Sequence, residues 1–371
     1  MGPLAGLKII EVVGLGAAPY CGRMLADMGA EVIRVDRVVT PQESARPGVQ
    51  RAGVQKARDP LIRGRRSIAL NLKSKAGIGA LLRLVDQADA LFEGFRPGVA
   101  ERLGFGPEQC LERNPQLVFG RLTGWGQEGP LAQAAGHDIN YIALSGALHS
   151  IGRRGQKPVA PLNLLGDFGG GGLLLAFGMV CALFEAGRSG KGQVVDAAML
   201  DGATSVMSMF FGFAANGWFD DAPGSHLLGT AAPFYDTYET ADGQYISIGS
   251  LEPKFFLQLL ELTGLDPAQF SGAGFTGAGE PVDTSAWPEL RRSLESAFRQ
   301  KTRDQWCSIM EGTDVCFAPV LGLSEVYLHP HNTARKTTLE IDGIRQPGAS
   351  AAIQPQQALH TGNRQPARCR Q

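Results

Sequence analysis

Two residues suited to acid/base chemistry stand at the starts of predicted helices. His137 lies in Gly136-His-Asp-Ile-Asn-Tyr141, and a helix N-terminus favours the neutral imidazole that a general base needs. Asp167 precedes the glycine run 169–172. There it is expected to cap the next helix and to lie beside backbone amides able to hold a developing oxyanion. Considered singly, each residue type is more often an ordinary capping or hydrogen-bonded structural residue.

A second carboxylate follows later in the chain. Glu252 precedes Pro253 after a strand-like run, where a carboxylate most often caps a helix. A carboxylate can also orient an imidazole. Together, His137, Asp167 and Glu252 supply two acid/base groups and an orienting group. That combination suits moving one proton on and off a carbon next to a carbonyl.

Strands and helices alternate in the N-terminal part of the chain. Pro19 suits the first turn of the first helix, Gly29 its C-terminal cap, and Ser74 the N-cap of a later helix. This alternation predicts a doubly wound α/β sheet with parallel strands. The predicted strands are 7–13, 31–35, 89–93 and 117–122, and the predicted helices are 19–28, 74–88 and 107–114.

The character of the sequence changes twice further along. After Gly136, apolar helices rich in glycine and alanine are predicted at 138–151, 168–186 and 198–217. From about 228, aromatic and β-branched runs with an Asp242-Gly243 hairpin signal predict a smaller α+β domain. The predicted organisation is a large domain over 1–197, a linker helix over 198–227, the small domain over 228–325, and a return linker with an atypical tail over 326–371.

The composition excludes several classes of protein. The 371 residues carry 35 Lys and Arg against 36 Asp and Glu, so the net charge of −1 does not favour nucleic-acid binding. Six scattered cysteines predict a reducing, cytoplasmic environment with neither disulfides nor a metal site. The uncharged run 168–184 approaches the length of a membrane span, but its glycines and charged flanks favour a buried helix and no membrane association.

Two further motifs invite a ligand-binding interpretation. Gly14-Leu-Gly16, with Asp36 after the second strand, is typical of a dinucleotide site, but Pro19 stands where the third glycine of that fingerprint is needed. The stretch 38–66 is rich in arginine. Its composition suits either a solvated surface loop or a local phosphate-binding patch.

Several longer segments carry a family resemblance over residues 4 to about 325. They are Gly6-Leu-Lys-Ile-Ile-Glu11, Leu25 to Arg37, Gly94-Phe-Arg-Pro-Gly-Val99, Thr123-Gly-Trp-Gly-Gln127, Gly136-His-Asp-Ile-Asn-Tyr141, Asp167-Phe-Gly-Gly-Gly171, Ser189 to Asp196 and Ala232-Pro-Phe-Tyr235. The combination of Gly-His-Asp-Ile-Asn-Tyr with Ser-Gly-Lys-Gly-Gln is highly specific. On these segments the sequence resembles the α-methylacyl-CoA racemases, a family within the class III CoA-transferase superfamily.

The resemblance implies epimerisation of 2-methyl-branched acyl-CoA thioesters, with a proton removed from one face of the α-carbon and delivered to the other through an enolate. His137, supported by Glu252, matches one acid/base pair, and Asp167 matches the aspartate on the opposite face. No metal or other cofactor is implied, because coenzyme A is part of the substrate. The residues that match the surfaces holding the coenzyme and its thioester are Arg37, Leu70, Asn71, Leu72, Lys73, Arg96, Gly136, Asp138, Ile139, Asn140 and Tyr141.

The resemblance also implies an interlocked homodimer. Each chain would have a Rossmann-like large domain and a smaller α+β domain joined by long linkers, with Glu252 acting on His137 of the partner subunit. Two segments depart from the family pattern. The stretch 38–66 is longer than usual, so coenzyme contacts there are not carried over. The tail after Pro347 does not resemble the family's ending, which normally returns to the large domain.

Two other functions are left open by the sequence. The first is a class III CoA-transferase that uses Asp167 as nucleophile. That pattern typically lacks the histidine in this context, so His137 together with Glu252 favours epimerisation. The second is a catalytically silent protein that binds CoA thioesters.

Overall fold

A parallel six-stranded sheet forms the core of the large part of the protein. The computed structural model describes residues 2–12, 14–38, 59–270, 272–274 and 284–349. The spatial strand order is β3-β2-β1-β4-β5-β6, which is the order of a doubly wound, Rossmann-like sheet and confirms the predicted α/β class. The strands are β1 Lys8–Val12, β2 Glu31–Arg37, β3 Arg65–Leu70, β4 Ala90–Glu93, β5 Val118–Thr123 and β6 Gln193–Ala198.

Helices surround this sheet. They are α1 Ala17–Asp27, α2 Lys75–Val85, α3 Val99–Leu103, α4 Pro107–Arg113, α5 Asp138–Leu144, α6 Ala147–Ser150, α7 Leu174–Ser189, α8 Met199–Val206 and α9 Ser208–Ala215. The N-cap of α2 is Ser74, as predicted, and its hydroxyl accepts the Gly77 N–H at 3.1 Å.

The helices cover both faces of the sheet, because its central strands are apolar on both sides. On one face α1 and α7 bury side chains such as Cys21 and Met179. On the other face α2 buries Leu81 and Val85. The sheet therefore lies between two layers of helices.

Both edge strands of the sheet are missing from the sequence prediction. β3 falls partly inside the basic stretch 38–66, and β6 follows the apolar helix 168–186. The middle of β3 and most of β6 are partly or fully exposed. The polar, exposed residues at the start of β3 resist pairing with other chains, and they make this strand look like a loop in the sequence.

A separate three-stranded antiparallel sheet organises the smaller part. Its strands β7 Tyr235–Glu239, β8 Tyr245–Gly249 and β9 Phe317–Pro319 lie in that order. The turn between β7 and β8 contains Gly243 at φ 71°, which confirms the hairpin signal. Helices α10 Pro253–Thr263, α11 Trp287–Phe298 and α12 Arg303–Met310 share a second apolar core with this sheet. The numerical domain boundaries stay a prediction.

One continuous helical segment, 164–189, joins two helix geometries. It begins as a π-helix, Leu164–Leu173, and continues as α7. The glycine run within the π-helix lets neighbouring backbones approach closely. A Cβ on Gly172 would lie 2.5 Å from the Ala17 carbonyl oxygen, and a Cβ on Gly170 would lie 2.6 Å from the Ala203 nitrogen. The close approach that these glycines require is therefore helix packing.

The same segment is long and apolar enough to cross a membrane by length and composition. In the fold, Leu175 and Met179 are fully buried on the large sheet. Phe177 and Phe184, on another side of α7, are exposed by 65% and 68%. The helix packs one face on the sheet and exposes another, so the predicted buried helix is buried on one side only. The absence of membrane association stays a prediction.

The chain returns to the large sheet after the small one. Helix α13 Pro330–Arg335 leads into the hairpin of β10 Thr338–Ile341 and β11 Ile344–Pro347. Arg63 donates to the Gln346 side-chain oxygen at 3.0 Å, and Arg23 donates to the Gly348 carbonyl at 3.0 Å. The chain thus contacts the large part again by residue 348, and residues 350–371 lie outside the described residues.

Candidate active site

A cavity of about 550 Å³ opens at the carboxyl edge of the parallel sheet. The segments that follow β1, β4 and β5 line it, at 14–16, 94–97 and 122–125. The strand order reverses between β1 and β4. The cavity therefore lies at the topological switch point, where doubly wound proteins bind their ligands.

His137 and Asp167 both line this cavity. His137 is the N-cap residue of α5, as predicted, and its backbone N–H donates to the Asn140 Oδ1 at 3.1 Å. His137 as a whole is exposed, so its ring is open to a ligand in the cavity. The fold thus brings together the two acid/base groups that the sequence places thirty positions apart.

Asp167 is held differently from the sequence prediction. The helix begins at Leu164, so Asp167 lies inside the π-helix and Asn163 is the N-cap; the prediction that Asp167 caps the helix is wrong. Its backbone N–H donates to the Asp138 Oδ1 at 2.6 Å, so this amide is not free for an oxyanion. Its carboxylate accepts from the Asn163 Nδ2 at 3.1 Å. A Cβ added to Gly16 would lie 3.4 Å from its Oδ2.

Asp138, the first residue of α5, has a buried carboxylate that faces the backbone of residues 166 and 167. The residue is only 5% exposed. Burial raises the pKa of its carboxyl, and the charge of Asp167 raises it further. Hydrogen bonds from the backbone N–H groups of residues 166 and 167 lower this pKa, but burial outweighs them. Asp138 itself is not among the residues that line the cavity. Its predicted contact with the coenzyme stays a prediction.

An aromatic pair forms one wall of the cavity. The rings of Trp125 and Tyr141 meet edge to face with centroids 4.8 Å apart, and the Tyr141 hydroxyl donates to the Gly136 carbonyl at 2.5 Å. Cβ atoms on Gly124 and Gly136 would lie 2.2 Å and 2.7 Å from the Tyr141 ring, so the wall requires both glycines. Burial, and then the charge of Asp167, raise the pKa of Tyr141, which keeps the phenol a donor.

The loop 94–97 is anchored by a carboxylate that the sequence reasoning missed. Glu93 is only 1% exposed; its Oε2 accepts the Phe95 N–H at 2.5 Å, and its Oε1 lies 3.5 Å from the Arg121 Nε. Burial raises the pKa of Glu93 to about 7, although the Phe95 N–H and Arg121 act in the opposite direction. The available signal was a carboxylate ending an apolar strand.

Apart from Asp138, the residues that the resemblance assigns to coenzyme binding fall into three groups. Those in the cavity lining are Arg96, Gly136 and Tyr141. Arg37 and Leu70 are register partners at the carboxyl ends of β2 and β3, and residues 71–73 follow, so this group lies on the same edge of the sheet outside the cavity lining. Ile139 and Asn140 are exposed on the first turn of α5. Contacts of all these residues with coenzyme A stay a prediction.

Two arginines of the basic stretch 38–66 are already paired inside the large part. Arg63 lies 2.6 Å from Asp27, and Arg65 lies 2.9 Å from Glu11, with side chains 11% and 2% exposed. The phosphate-binding interpretation is wrong for both, because each cation already neutralises a carboxylate. Residues 39–58, which hold the rest of the predicted patch apart from Arg66, lie outside the described residues.

Glu252 lies in the small part and does not line the cavity with His137. It is the exposed N-cap residue of α10, but its side chain makes no capping hydrogen bond. Burial, and then the charge of Glu252, raise the pKa of the Cys316 thiol. The role predicted for Glu252 stays a prediction.

Comparison with known proteins decides the family. The model of CoA-transferase family III matches residues 4–368. The chain belongs to this family. The match extends past 325, where the resemblance seen in the sequence ends, and reaches residue 368. It therefore includes the returning hairpin of β10 and β11 and most of the tail after Pro347, which was expected to depart from the family pattern.

Individual relatives support the same assignment. The alpha-methylacyl-CoA racemase of Mus musculus is 42% identical over 353 residues, covering 94% of this chain and 85% of the racemase. The Homo sapiens protein of that name is 42% identical over 332 residues, covering 90% and 81%. A crystal structure of a CaiB/BaiF family protein from Brucella suis matches with a TM-score of 0.77 at 26% identity, covering 95% of this chain and 93% of that chain.

Among the residues that the structure describes, no group of three or more His, Cys, Asp or Glu side chains is arranged to hold a metal ion. That the reaction needs no metal or other cofactor stays a prediction.

Proposed function

We propose that the chain is an isomerase that epimerises 2-methyl-branched acyl-CoA thioesters at the α-carbon. The observation that carries the proposal is that His137 and Asp167 line one cavity at the switch point of the sheet. Two relatives at 42% identity are named alpha-methylacyl-CoA racemase. The names supply the substrate class, and the cavity supplies two groups able to perform the reaction.

Epimerisation needs two acid/base groups on opposite sides of one carbon. One group removes the α-proton, and the electron pair of the C–H bond moves into the thioester carbonyl to give a planar enolate. The other group then delivers a proton to the opposite face, and a new C–H bond forms. For one epimer His137 is the base and protonated Asp167 the acid; for the other epimer the two roles are exchanged.

A homodimer would complete this site. Glu252 does not line the cavity of its own chain, so in this proposal the partner subunit's Glu252 orients His137. Phe177, Val180 and Phe184 recur at the spacing of one helix face on α7 and are all exposed. A contiguous apolar face of this kind is typical of a surface that another chain covers.

CoA transfer is the second candidate, because the family takes its name from that reaction. In it, the Asp167 carboxylate would attack the thioester carbonyl of an acyl-CoA and form an acyl anhydride with release of CoA thiolate. The thiolate would then attack the Asp167 carbonyl, which releases the acyl group as a carboxylate and leaves the coenzyme on Asp167 as a thioester. Such chemistry needs a free carboxylic acid as acceptor and gives no task to an imidazole in the same cavity. His137 therefore favours epimerisation.

The test is to incubate each epimer of a 2-methylacyl-CoA with the protein in heavy water, without any free carboxylic acid. We expect deuterium at the α-carbon and a mixture of epimers from either starting compound. Turnover only after addition of a carboxylic acid would support the transferase instead. Thioester binding with neither reaction would support a silent binding protein.

Removal of either acid/base group should stop this exchange. His137→Ala and Asp167→Ala are each expected to slow deuterium incorporation by about 100-fold or more, while the Kd of the thioester changes by less than about 3-fold. His149→Ala is the matched control, because His149 is exposed on α6 and does not line the cavity. Either catalytic variant exchanging at the wild-type rate would contradict the proposal.

A further inference from the structure

Asp138 lies in an environment that is unfavourable for a carboxylate. It is 5% exposed, and its Oδ2 has no hydrogen-bond partner among the described residues. The negative charge of Asp167 lies close enough to oppose its ionisation. An acidic residue in the first turn gains a little from the helix dipole, but an incompletely paired buried carboxylate costs much more. Stability of α5 therefore does not account for this residue.

The carboxylate of Asp138 connects the two acid/base groups. Its Oδ1 accepts the backbone N–H of Asp167 at 2.6 Å, and a second hydrogen bond comes from the backbone of Gly166. Asp138 itself follows His137 directly and is the first residue of the helix that His137 caps. One side chain thus joins the segment that carries His137 to the π-helix turn that carries Asp167.

The packing around this carboxylate requires a glycine at position 166. A Cβ on Gly166 would lie 2.6 Å from the Asp138 Oδ1 and 3.2 Å from the Ile142 Cγ2. A side chain at position 166 would therefore push the carboxylate away from the Asp167 amide.

We infer that Asp138 is a positioning residue that fixes the spacing between His137 and Asp167 across the cavity. The inference rests on the proposed function, because the spacing matters only if one carbon exchanges a proton with both groups. Displacement of a reacting group by about 1 Å can cost roughly 100-fold in rate. A single short hydrogen bond between the two segments is therefore enough to control turnover without touching the substrate.

The first experiment compares Asp138→Ala with Asp138→Asn in the exchange assay. The alanine variant should lower kcat by about 30-fold or more in both directions, with KM changed by less than about 3-fold. The asparagine variant keeps an oxygen that accepts the Asp167 N–H, so it should stay within about 5-fold of wild type. Leu81→Ala, a core change on the opposite face of the sheet, controls for loss of stability and should keep the wild-type kcat.

The second experiment changes Gly166, the residue that packs against the Asp138 carboxylate. Gly166→Ala should displace the carboxylate and reduce kcat as Asp138→Ala does, and the double variant should lose little more than either single one. Gly187→Ala is the matched control, because a Cβ there meets nothing within 4 Å. Additive losses in the double variant would overturn the inference.

Hydrogen exchange of the Asp167 amide gives a readout that needs no turnover. We expect exchange about 10-fold or more faster in Asp138→Ala and near wild type in Asp138→Asn. A folded alanine variant with wild-type kcat, or an asparagine variant as slow as the alanine one, would overturn the positioning role. A wild-type protein without α-proton exchange would overturn the proposed function, and the positioning role with it. The amide would still report separately whether Asp138 holds Asp167.

Discussion

The carboxyl of Glu93 shows what burial does to a single residue beside the cavity. Its carboxylate contacts one backbone N–H and one arginine at 3.5 Å. These two contacts do not fully replace hydration, so burial raises the pKa of Glu93. The residue nevertheless holds the loop 94–97 through the Phe95 amide, a contact that the neutral and the ionised acid can both make. Its titration therefore affects stability while leaving the loop attached.

Replacement of Glu93 should remove a defined part of the pH dependence of stability. The folded pKa of about 7 lies above the ordinary 4.5, so the folded protein keeps a proton that the unfolded chain releases. The free energy of unfolding contributed by Glu93 therefore falls as pH rises from about 4.5 to about 7, by roughly 3 kcal/mol at most. Glu93→Gln cannot ionise and should gain on wild type across that window in urea unfolding.

Glu101→Gln is the control for this experiment. Glu101 lies 2.8 Å from the same Arg121, but its side chain is 39% exposed. Burial is the main cause of the raised pKa of Glu93, and the charge of Glu101 adds to it, so Glu101→Gln should keep this fall in stability and move it only to slightly lower pH. Parallel stability curves for wild type and Glu93→Gln would show that Glu93 does not titrate in this window.

At the residue scale, the sequence predicts the candidate acid/base groups better than the residues that hold them in place. His137 and Asp167 are recognisable from residue type and motif, and the structure brings them to one cavity. Asp138 and Glu93 act through buried contacts with backbone amides. Such contacts depend on how separate segments meet in space, and neither helical nor strand periodicity carries that information.

At the scale of elements, the packing of α1 on the sheet depends on a buried ion pair. Glu11 of β1 and Arg65 of β3 lie 2.9 Å apart, with side chains 0% and 2% exposed. Gly22 of α1 faces this pair: a Cβ there would lie 2.2 Å from the Glu11 Oε2 and 2.8 Å from the Arg65 Nη2. The helix can approach the strands only because residue 22 has no side chain.

Gly22→Ala should therefore destabilise the large part strongly. The added methyl must push a buried carboxylate or guanidinium out of its pairing, which is expected to cost about 3–5 kcal/mol in the free energy of unfolding. Gly79→Ala on α2 is the matched control, since its Cβ would meet only the end of the Arg83 side chain at 3.8 Å. Urea unfolding measures both, and equal midpoints for Gly22→Ala and wild type would contradict the prediction.

The predicted elements and the observed ones differ where packing partners are decisive. The central strands β1, β4 and β5 contain apolar runs, and the sequence predicts them from that pattern. The edge strands β3 and β6 pair on one side only and are partly exposed, and β3 begins with two arginines and a serine, so neither shows the pattern of a buried strand. The helix predicted to begin at 168 begins at Leu164 instead. Its first turns are π-helical because its glycines pack on α1 and α8, and this packing is not visible in the sequence pattern.

At the scale of the whole molecule, the cavity and the orienting carboxylate lie on different parts of the chain. The loops after β1, β4 and β5 form the cavity with His137 and Asp167, whereas Glu252 caps α10 in the small part. The sequence resemblance implies that two chains share each site. An experiment can distinguish a site shared by two chains from a site built within one chain.

Mixed dimers of two inactive variants should regain activity. His137→Ala and Glu252→Ala homodimers each lack one member of the pair at both sites. If Glu252 acts across the dimer, a dimer with one chain of each kind has one site with both mutations and one with neither. Random reassortment of the two variants then restores about a quarter of the wild-type α-proton exchange.

If Glu252 acts within its own chain, every site of the mixed dimer keeps one mutation. No activity then returns, and the shared-site arrangement is excluded. Reassortment of His137→Ala with Asp167→Ala, two residues of one cavity, is the control and should restore nothing.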